Sequence, residues 1–323
     1  MPETPADFTA FRAFSARLGQ DPLRVQGAGG NTSIKAGGVM WIKASGTELA
    51  DAEAREIFVP VDRVAALAEA RGAAGDGSCK STVLDPAQTL RPSIETTFHA
   101  ALDWPVVAHT HSIATLAHAI SPEGRTAVRD KLAGLPAAFV PYAKPGLPLT
   151  REILARARPE TRVFVLENHG LIVCGADVSA TEVLMEEVEA QLAMPARDAD
   201  RSAPATLPPD GFDWSAEGWI ALDIRAASLA RAGSYYPDHV VFLGPALPIA
   251  DHDGTAPAIL FENAGIALRK TATTSQRAML RCLSDLLLRL PADWTTDPIG
   301  AEAEAELLNW DAEKYRQALA ARG

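Results

Sequence analysis

VVAHTHSIA at 106–114 and RVFVLENHGLIVCG at 162–175 are the stretches whose reading decides the fold and the site. In the first, His109 and His111 lie two residues apart in a β-prone run. A strand turns residues i and i+2 to the same face, so both imidazoles can grip one ion. In the second, the apolar run VFVLEN reads as a buried strand that delivers His169, and Gly170 beside it permits a close backbone approach. Three protein ligands leave one coordination position open for chemistry. A histidine beside a strand is ordinarily a hydrogen-bonded core residue, and an HxH pair alone is weak evidence of metal. The third histidine and the lone carboxylate of RPSIETTFH (91–99), Glu95, turn the reading toward a metal centre.

Working outward, β-prone and helical runs alternate. Phe8, Phe11, Phe14 and Leu18 fall on one helical face and predict a first helix at the surface. SIK and VMWIKA, divided by AGG, predict a hairpin whose turn tolerates positive φ. DAEAREIF and DRVAALAEARGA read as helical, and GAAGDGSCKST as loop. PSIETTFHAALDW reads as a helix with Pro92 and Ser93 as start signals, VVAHTHS as a strand and SIATLAHAI as a helix. AAFVPYA and RVFVLENHGLIVCG add strands, and SATEVLMEEVEAQLAMPARDA a long helix. The order predicts an α/β fold with strands of mixed direction. A Pro-, Asp- and Ser-rich stretch at 195–212 marks a boundary, dividing the chain into a catalytic domain at 1–200 and a smaller α/β unit at 201–323. In that unit SAEGWIALDIRAASLARAG and SQRAMLRCLSDLLLRL read as helices, HVVFLG and AILFENAGIALRK as strands, and a last helix runs through LLNWDAEKYRQALA. His239, in PDHVVFLG, has no HxH partner and is assigned to structure.

Composition excludes several classes. A chain of 323 residues with a net charge of −11 and no long basic run offers no groove for nucleic acid and no face for an anionic membrane. No apolar stretch approaches the roughly 20 residues of a membrane span, and the acidic N-terminus lacks the basic residues of a signal peptide. Cys79, Cys174 and Cys282 are odd in number and widely spaced, which argues against a disulfide framework and for a reducing cytoplasm.

The residue types also suggest chemistry. Breaking a carbon–carbon bond beside a carbonyl leaves a carbanion that is delocalised as an enediolate, and a divalent cation stabilises that charge. Three neutral histidines leave the cation's charge undiminished. The alternative, a lysine Schiff base, has Lys43 and Lys144 available, but the histidine trio points to metal. Zinc suits three histidines best, with manganese, cobalt or iron also compatible. Glu95 is placed to act as acid/base and also to ligate the resting metal. Gly29, Gly30 and Asn31 form one small-residue turn and Ser45 with Gly46 another, and both can aim backbone N–H groups at an anion.

GGNTS at 29–33, KASG at 43–46, Glu95, HxH and Asn-His-Gly follow one another in an order that resembles the class II aldolase/adducin superfamily over about residues 8–195. The resemblance implies a three-layer α/β/α domain on a mixed, largely antiparallel sheet. It implies Glu95 as the acid/base, His109, His111 and His169 as metal ligands, and Gly30, Asn31, Ser45, Gly46 and Ser93 as the cradle of a ketose phosphate. On this basis the expected protein is a cytoplasmic, metal-dependent aldolase that releases dihydroxyacetone phosphate and an aldehyde, assembled as a homotetramer. Pentulose-phosphate 4-epimerisation, or dehydration or decarboxylation of a sugar derivative, would fit the same site, and adducin-like members imply a non-catalytic binding module as the contrasting class. Two departures stand out. Relatives have two serines before the glutamate where this chain has Ser93 and Ile94, so Lys43 or an unphosphorylated substrate would make up the difference. Residues 112–141 also lack the tyrosine that acts on the aldehyde in fuculose-phosphate aldolase; Tyr142 is the nearest, and Arg125, Arg129 or a tyrosine beyond residue 200 are the substitutes.

Overall fold

The computed structural model describes residues 2–251 and 254–321. The chain forms two compact units, one of Met1–Ala119 with Arg125–Ala193 and one of Ile120–Gly124 with Met194–Gly323.

The first unit opens with helix α1 (Phe8–Gln20), in which Phe11, Phe14 and Leu18 are buried. Far from being a mere surface helix, its apolar face is core: Phe11 packs at a tilt against Phe58 with ring centroids 4.8 Å apart, and Phe8 packs against Trp41 at 6.0 Å. Strands β1 (Asn31–Ala36) and β2 (Val39–Lys43) form the expected hairpin. Gly37 and Gly38 make its turn at φ 55° and 85°, a left-handed pair that glycine adopts without strain.

The helix read over DAEAREIF is not formed. Residues Leu49–Asp51 make one 3-10 turn, and the chain then extends into β3 (Phe58–Asp62), antiparallel to β2. Ile57 and Phe58 are buried. Pro60, which cannot donate to a ladder, is tolerated because β3 is the last strand of the sheet. Asp62 then caps α2 (Arg63–Ala70) by accepting from Val64 N at 2.9 Å and Ala65 N at 3.1 Å. The remaining elements are α3 (Thr96–Ala101), β4 (Val106–Thr110), α4 (Ile113–Ala119), α5 (Pro122–Lys131), β5 (Ala137–Val140), α6 (Leu147–Arg156), β6 (Val163–Leu166), β7 (Gly170–Gly175) and α7 (Val178–Leu192).

Their sheet has the order β3-β2-β1-β4-β7-β6-β5. Every pair is antiparallel except β5 with β6, so the sheet is mixed and largely antiparallel, as expected. Alternate strand residues enter two cores. On one face Ile34, Trp41, Ala108, Val165 and Val173 pack with Phe11, Phe14 and Leu18 of α1 and Leu184, Met185 and Val188 of α7. On the other, Val107, Phe164, Ile172 and Cys174 pack with Phe98 of α3 and Leu149 and Ile153 of α6, and Met40, Ile42, Val59 and Val61 with Ala66 of α2. Burial on both faces makes the three-layer α/β/α arrangement.

In the second unit β8 (Phe212–Trp214), β9 (Ala258–Phe261) and β10 (Gly265–Arg269) form an antiparallel sheet of order β8-β10-β9, with α8 (Ile224–Ala232), α9 (Pro237–Leu243), α10 (Thr274–Arg289), α11 (Ala301–Leu308) and α12 (Asp311–Ala320). Three expectations are corrected. HVVFLG is part of helix α9, not a strand: Pro237 opens it, and all of Pro237–Leu243 is buried, so its short apolar run has no polar face to reveal a helical period. SAEGWIALDIRAASLARAG is a 3-10 turn at Ala216–Ala221 followed by α8, which Asp223 caps through Ala226 N at 2.8 Å. The last helix breaks at Asn309–Trp310 into α11 and α12. Arg316 of α12 ties to Asp238 of α9 at 2.8 Å and to Glu313 at 2.9 Å, all three buried. Residues 120–124 join this unit through Asp297 N to Ile120 O at 2.8 Å and Thr295 Oγ1 to the Glu123 carboxylate at 3.0 Å.

Candidate metal centre

His109 is the fourth residue of β4 and His111 follows the strand's end, so the two imidazoles share a side of the sheet. Strand β7 pairs with β4, Thr110 opposite Leu171 and His109 opposite Ile172, which brings the turn before β7 beside both histidines. That turn is tight. Asn168 has φ 52°, His169 N donates to Leu166 O at 3.2 Å, and Gly170 has φ 155°. A Cβ on Gly170 would fall 2.2 Å from Thr110 O, so no larger residue fits without moving the histidine.

The three rings are buried, at 0%, 5% and 3% exposure for His109, His111 and His169. Their centroids are 5.0 Å apart for His109–His111, 5.0 Å for His109–His169 and 5.5 Å for His111–His169. One nitrogen from each lies within 4.8 Å of the other two. His109 Nδ1 is 3.0 Å from Leu171 O, an acceptor only, so the ring proton sits on Nδ1 and the buried Nε2, which has no hydrogen-bond partner among the described residues, presents a lone pair. Three converging imidazole nitrogens with a carboxylate alongside are a donor set suited to a divalent transition ion.

Glu95 occupies the N-cap position of α3, 4% exposed. Its Oε2 is 3.5 Å from His109 Nε2 and its Oε1 3.4 Å from His169 Nε2, so the carboxylate straddles two of the three rings. Asn31 Nδ2 donates to Oε2 at 2.8 Å and to Ser93 Oγ at 3.2 Å. Ser93 Oγ also accepts from Glu95 N at 3.2 Å.

The small-residue turns meet at the same place. Gly30 has φ 58°, and a Cβ there would lie 2.9 Å from His109 O. Asn31 stands opposite His109 in the β1–β4 ladder. Ser93 N donates to Lys43 O at 3.1 Å and Ser45 N to Arg91 O at 2.8 Å, which ties the Ser45–Gly46 turn to the Glu95 segment. Gly46 has φ 78°. The Lys43 ammonium donates to Ala28 O at 2.8 Å and Gly30 O at 3.0 Å, bracing the first turn. Asn31 and Ser93 thus bond Glu95 directly, Gly30 adjoins Asn31, and Ser45 ties the second turn to Arg91, two residues before Ser93. Of the substitutes for the tyrosine, Arg125 Nε is 4.0 Å from Glu167 Oε1, two residues before His169, while Arg129 lies over the Phe139 ring at 4.4 Å. Sequence reasoning missed His99 and Ser33, whose side chains extend the Asn31 contacts inward: His99 Nε2 bonds Asn31 Oδ1, and His99 Nδ1 is 2.8 Å from Ser33 Oγ. The available signals were the helical spacing of His99 from Glu95 and the strand spacing of Ser33 from Asn31.

Comparison with known proteins gives the family. The family described as Class II Aldolase and Adducin N-terminal domain matches residues 13–194, and the chain belongs to that family. Its members include metal-dependent aldolases and bind sugar phosphates. A protein named uncharacterized oxidoreductase YuxG, from Bacillus subtilis (strain 168), is 29% identical over 172 residues, 49% of this chain but only 25% of that protein. The match thus spans about a quarter of the relative's length. Among solved structures, the N-terminal class II aldolase domain of a conserved protein from Thermoplasma acidophilum superposes with a TM-score of 0.52 at 24% identity, covering 59% of this chain and 94% of that one. L-fuculose-1-phosphate aldolase from Thermus thermophilus gives a TM-score of 0.41 at 18% identity, covering 58% and 92%. No helix among the described residues is long and apolar enough to cross a membrane.

Proposed function

We propose that the protein is a metal-dependent aldolase, a carbon–carbon lyase that cleaves a ketose 1-phosphate to dihydroxyacetone phosphate and an aldehyde. The observation that carries the reading is the convergence of His109, His111 and His169 with the Glu95 carboxylate set 3.4–3.5 Å from two of them. The three imidazoles would hold a divalent cation, zinc before manganese, cobalt or iron, whose chemistry is to stabilise the enediolate charge left when the bond breaks. Glu95 moves the proton between the ketose carbon and solvent, its carboxylate held by the Asn31 amide at 2.8 Å. Gly30, Asn31, Ser45, Gly46 and Ser93 hold the anionic end of the substrate, and Lys43 supplies positive charge behind them at 3% exposure. Burial of the three histidines, Glu95, Asn31, Lys43, Ser45 and Ser93 limits water around them, which strengthens each of these interactions. The presence of all three histidines separates this chain from a non-catalytic binding module. A cytoplasmic homotetramer is part of the same proposal, resting on the family resemblance alone, and light scattering on the full chain checks the assembly.

The test is product analysis after zinc-loaded protein meets a panel of ketose phosphates and free ketoses. Dihydroxyacetone phosphate and an aldehyde are expected from a phosphorylated member. A protein that binds one metal per chain yet cleaves none of the panel sinks the aldolase reading.

A further inference from the structure

We infer that Ser33, His99 and Asn31 form a one-way hydrogen-bond chain that holds the Glu95 carboxylate in its working orientation, with His99 as the positioning residue. The inference rests on the reading of Glu95 as the acid/base.

The chain has four members and three links. Ser33 Oγ is 2.8 Å from His99 Nδ1, His99 Nε2 bonds Asn31 Oδ1, and Asn31 Nδ2 is 2.8 Å from Glu95 Oε2. Ser33 and His99 are fully buried, and Glu95 and Asn31 are 4% and 5% exposed. Two elements meet here: Ser33 and Asn31 are i and i+2 on one face of β1, and His99 lies one helical turn beyond Glu95 on α3. The His99 ring is fixed in place by stacking on Phe98, centroids 4.5 Å apart.

Direction follows from donor chemistry. The far end is a carboxylate, which only accepts, so the Asn31 group facing it is the amide NH2. That leaves Oδ1, also an acceptor only, toward His99, so the proton of that bond belongs to His99 Nε2. Burial and the charge of Lys35 hold the His99 pKa well below its ordinary value, so the ring is neutral and Nδ1 keeps a lone pair. The Ser33 hydroxyl then donates to Nδ1. Each link fixes the next, and reversing Asn31 would set its oxygen against the carboxylate and its NH2 against a ring N–H. Both Asn31 protons are used, one on Glu95 and one on Ser93 Oγ at 3.2 Å. Glu95 Oε2 is thereby pinned and Oε1 is turned toward His169 Nε2 at 3.4 Å. Without the His99 N–H, the amide loses the contact that sets its orientation, and Oε2 loses its fixed donor.

Two substitutions separate positioning from packing. His99→Phe keeps ring volume and the Phe98 stack but has no N–H; His99→Gln restores a donor at the place of Nε2. Zinc-loaded wild type and variants are compared for bound metal, kcat and KM on the ketose phosphate that the wild type cleaves. In His99→Phe, kcat is expected to fall about 10- to 100-fold, the usual cost of losing an outer partner of a metal site, with metal stoichiometry unchanged. His99→Gln is expected to recover most of the loss. An unchanged kcat in His99→Phe, or a His99→Gln variant equally slow, overturns the inference. Should His99→Phe not fold, Ser33→Ala carries the same test, since it removes only the hydroxyl that holds the Nδ1 side of the ring, and an unchanged kcat there breaks the chain at its first link. A readout independent of turnover is 15N NMR of histidine-labelled, zinc-loaded wild type. Neutral His99 with its proton on Nε2 is expected at neutral pH, and a proton on Nδ1 or a charged ring overturns the inference whatever the substrate. If that tautomer is found but no ketose is cleaved, the aldolase reading fails and the hydrogen-bond chain stands.

Discussion

His169 in the first unit and His239 in the second are both buried, at 3% and 0% exposure, and both adjoin short apolar runs. Their surroundings differ. His169 sits on a turn between antiparallel strands whose register sets it beside His109, His111 and Glu95. His239 is in the short helix α9, where Nδ1 accepts from Tyr235 N at 3.3 Å, the Tyr236 ring is 5.3 Å away and Nε2 makes no hydrogen bond. Among the described residues, only His109, His111 and His169 bring three such ligand atoms together. Burial alone makes a histidine neutral; a sheet end that gathers side chains from distant segments makes it a ligand.

The sharpest way to break that contrast is metal analysis. Ala at His109, His111 or His169 is expected to remove the bound ion from purified protein, while His239→Asn keeps one ion per chain. Stoichiometric metal in all three alanine variants would refute the site, and loss of metal in the His239 variant would refute the contrast. Next in size is Glu95→Gln, which keeps shape and loses proton transfer. Its turnover should fall about 10²- to 10⁴-fold with metal retained. A variant that loses metal as well makes Glu95 chiefly a ligand, and unchanged turnover assigns it to structure.

What could be read from the sequence divides along the same line. The HxH pair and the VFVLEN run carried period-2 and apolar signals strong enough to place β4, β6 and β7, with His109 on β4 and His111 and His169 just beyond strand ends. The β1–β2 hairpin was legible because Gly37 and Gly38 adopt without strain the positive φ that a tight hairpin turn requires. Strand β3 was not, because Asp51, Glu53, Arg55 and Glu56 resemble a helix surface and only tertiary packing of Ile57 and Phe58 extends the chain. Helix α9 was misread because a fully buried helix shows no polar face. At the site, glycine and histidine spacing pointed to the turns and ligands, whereas the Ser33–His99–Asn31 contacts join α3 to β1, and the spacings of His99 from Glu95 and of Ser33 from Asn31 report faces within each element but not the pairing between them.

The contrast can also be sharpened through acid stability. Burial pushes the His239 pKa down to about 3. The unfolded chain, with an ordinary value near 6.5, therefore binds a proton that the folded protein refuses. There is no penalty above pH 6.5; below it the wild type loses about 1.4 kcal/mol per pH unit, reaching about 5 kcal/mol at pH 3. His239→Asn keeps an acceptor for Tyr235 N and does not titrate, so its unfolding free energy should fall less steeply between pH 6 and pH 4. Parallel slopes for the two proteins in denaturant titrations would show that His239 is not the buried base.

The smallest effect concerns a carboxylate with the opposite sign, beside the metal-centre strand. Glu189 of α7 accepts from Ser112 Oγ at 3.0 Å, and its other oxygen is buried without a hydrogen bond. Burial raises its pKa to about 7 against the opposing pull of Ser112 and Arg24, with Asp21 and Glu186 adding to the rise. The unfolded carboxyl ionises first as pH rises from 4.5, so the folded state is penalised progressively up to pH 7 and fully above it, by about 3 kcal/mol at most. Glu189→Gln keeps an oxygen for the Ser112 hydroxyl and carries no charge. The two proteins should be similarly stable below pH 4.5, and the variant increasingly the more stable between pH 5 and pH 8. A stability difference that does not change with pH would mean that Glu189 acts through the Ser112 contact alone, and that burial in this part of the first unit is not what holds its proton.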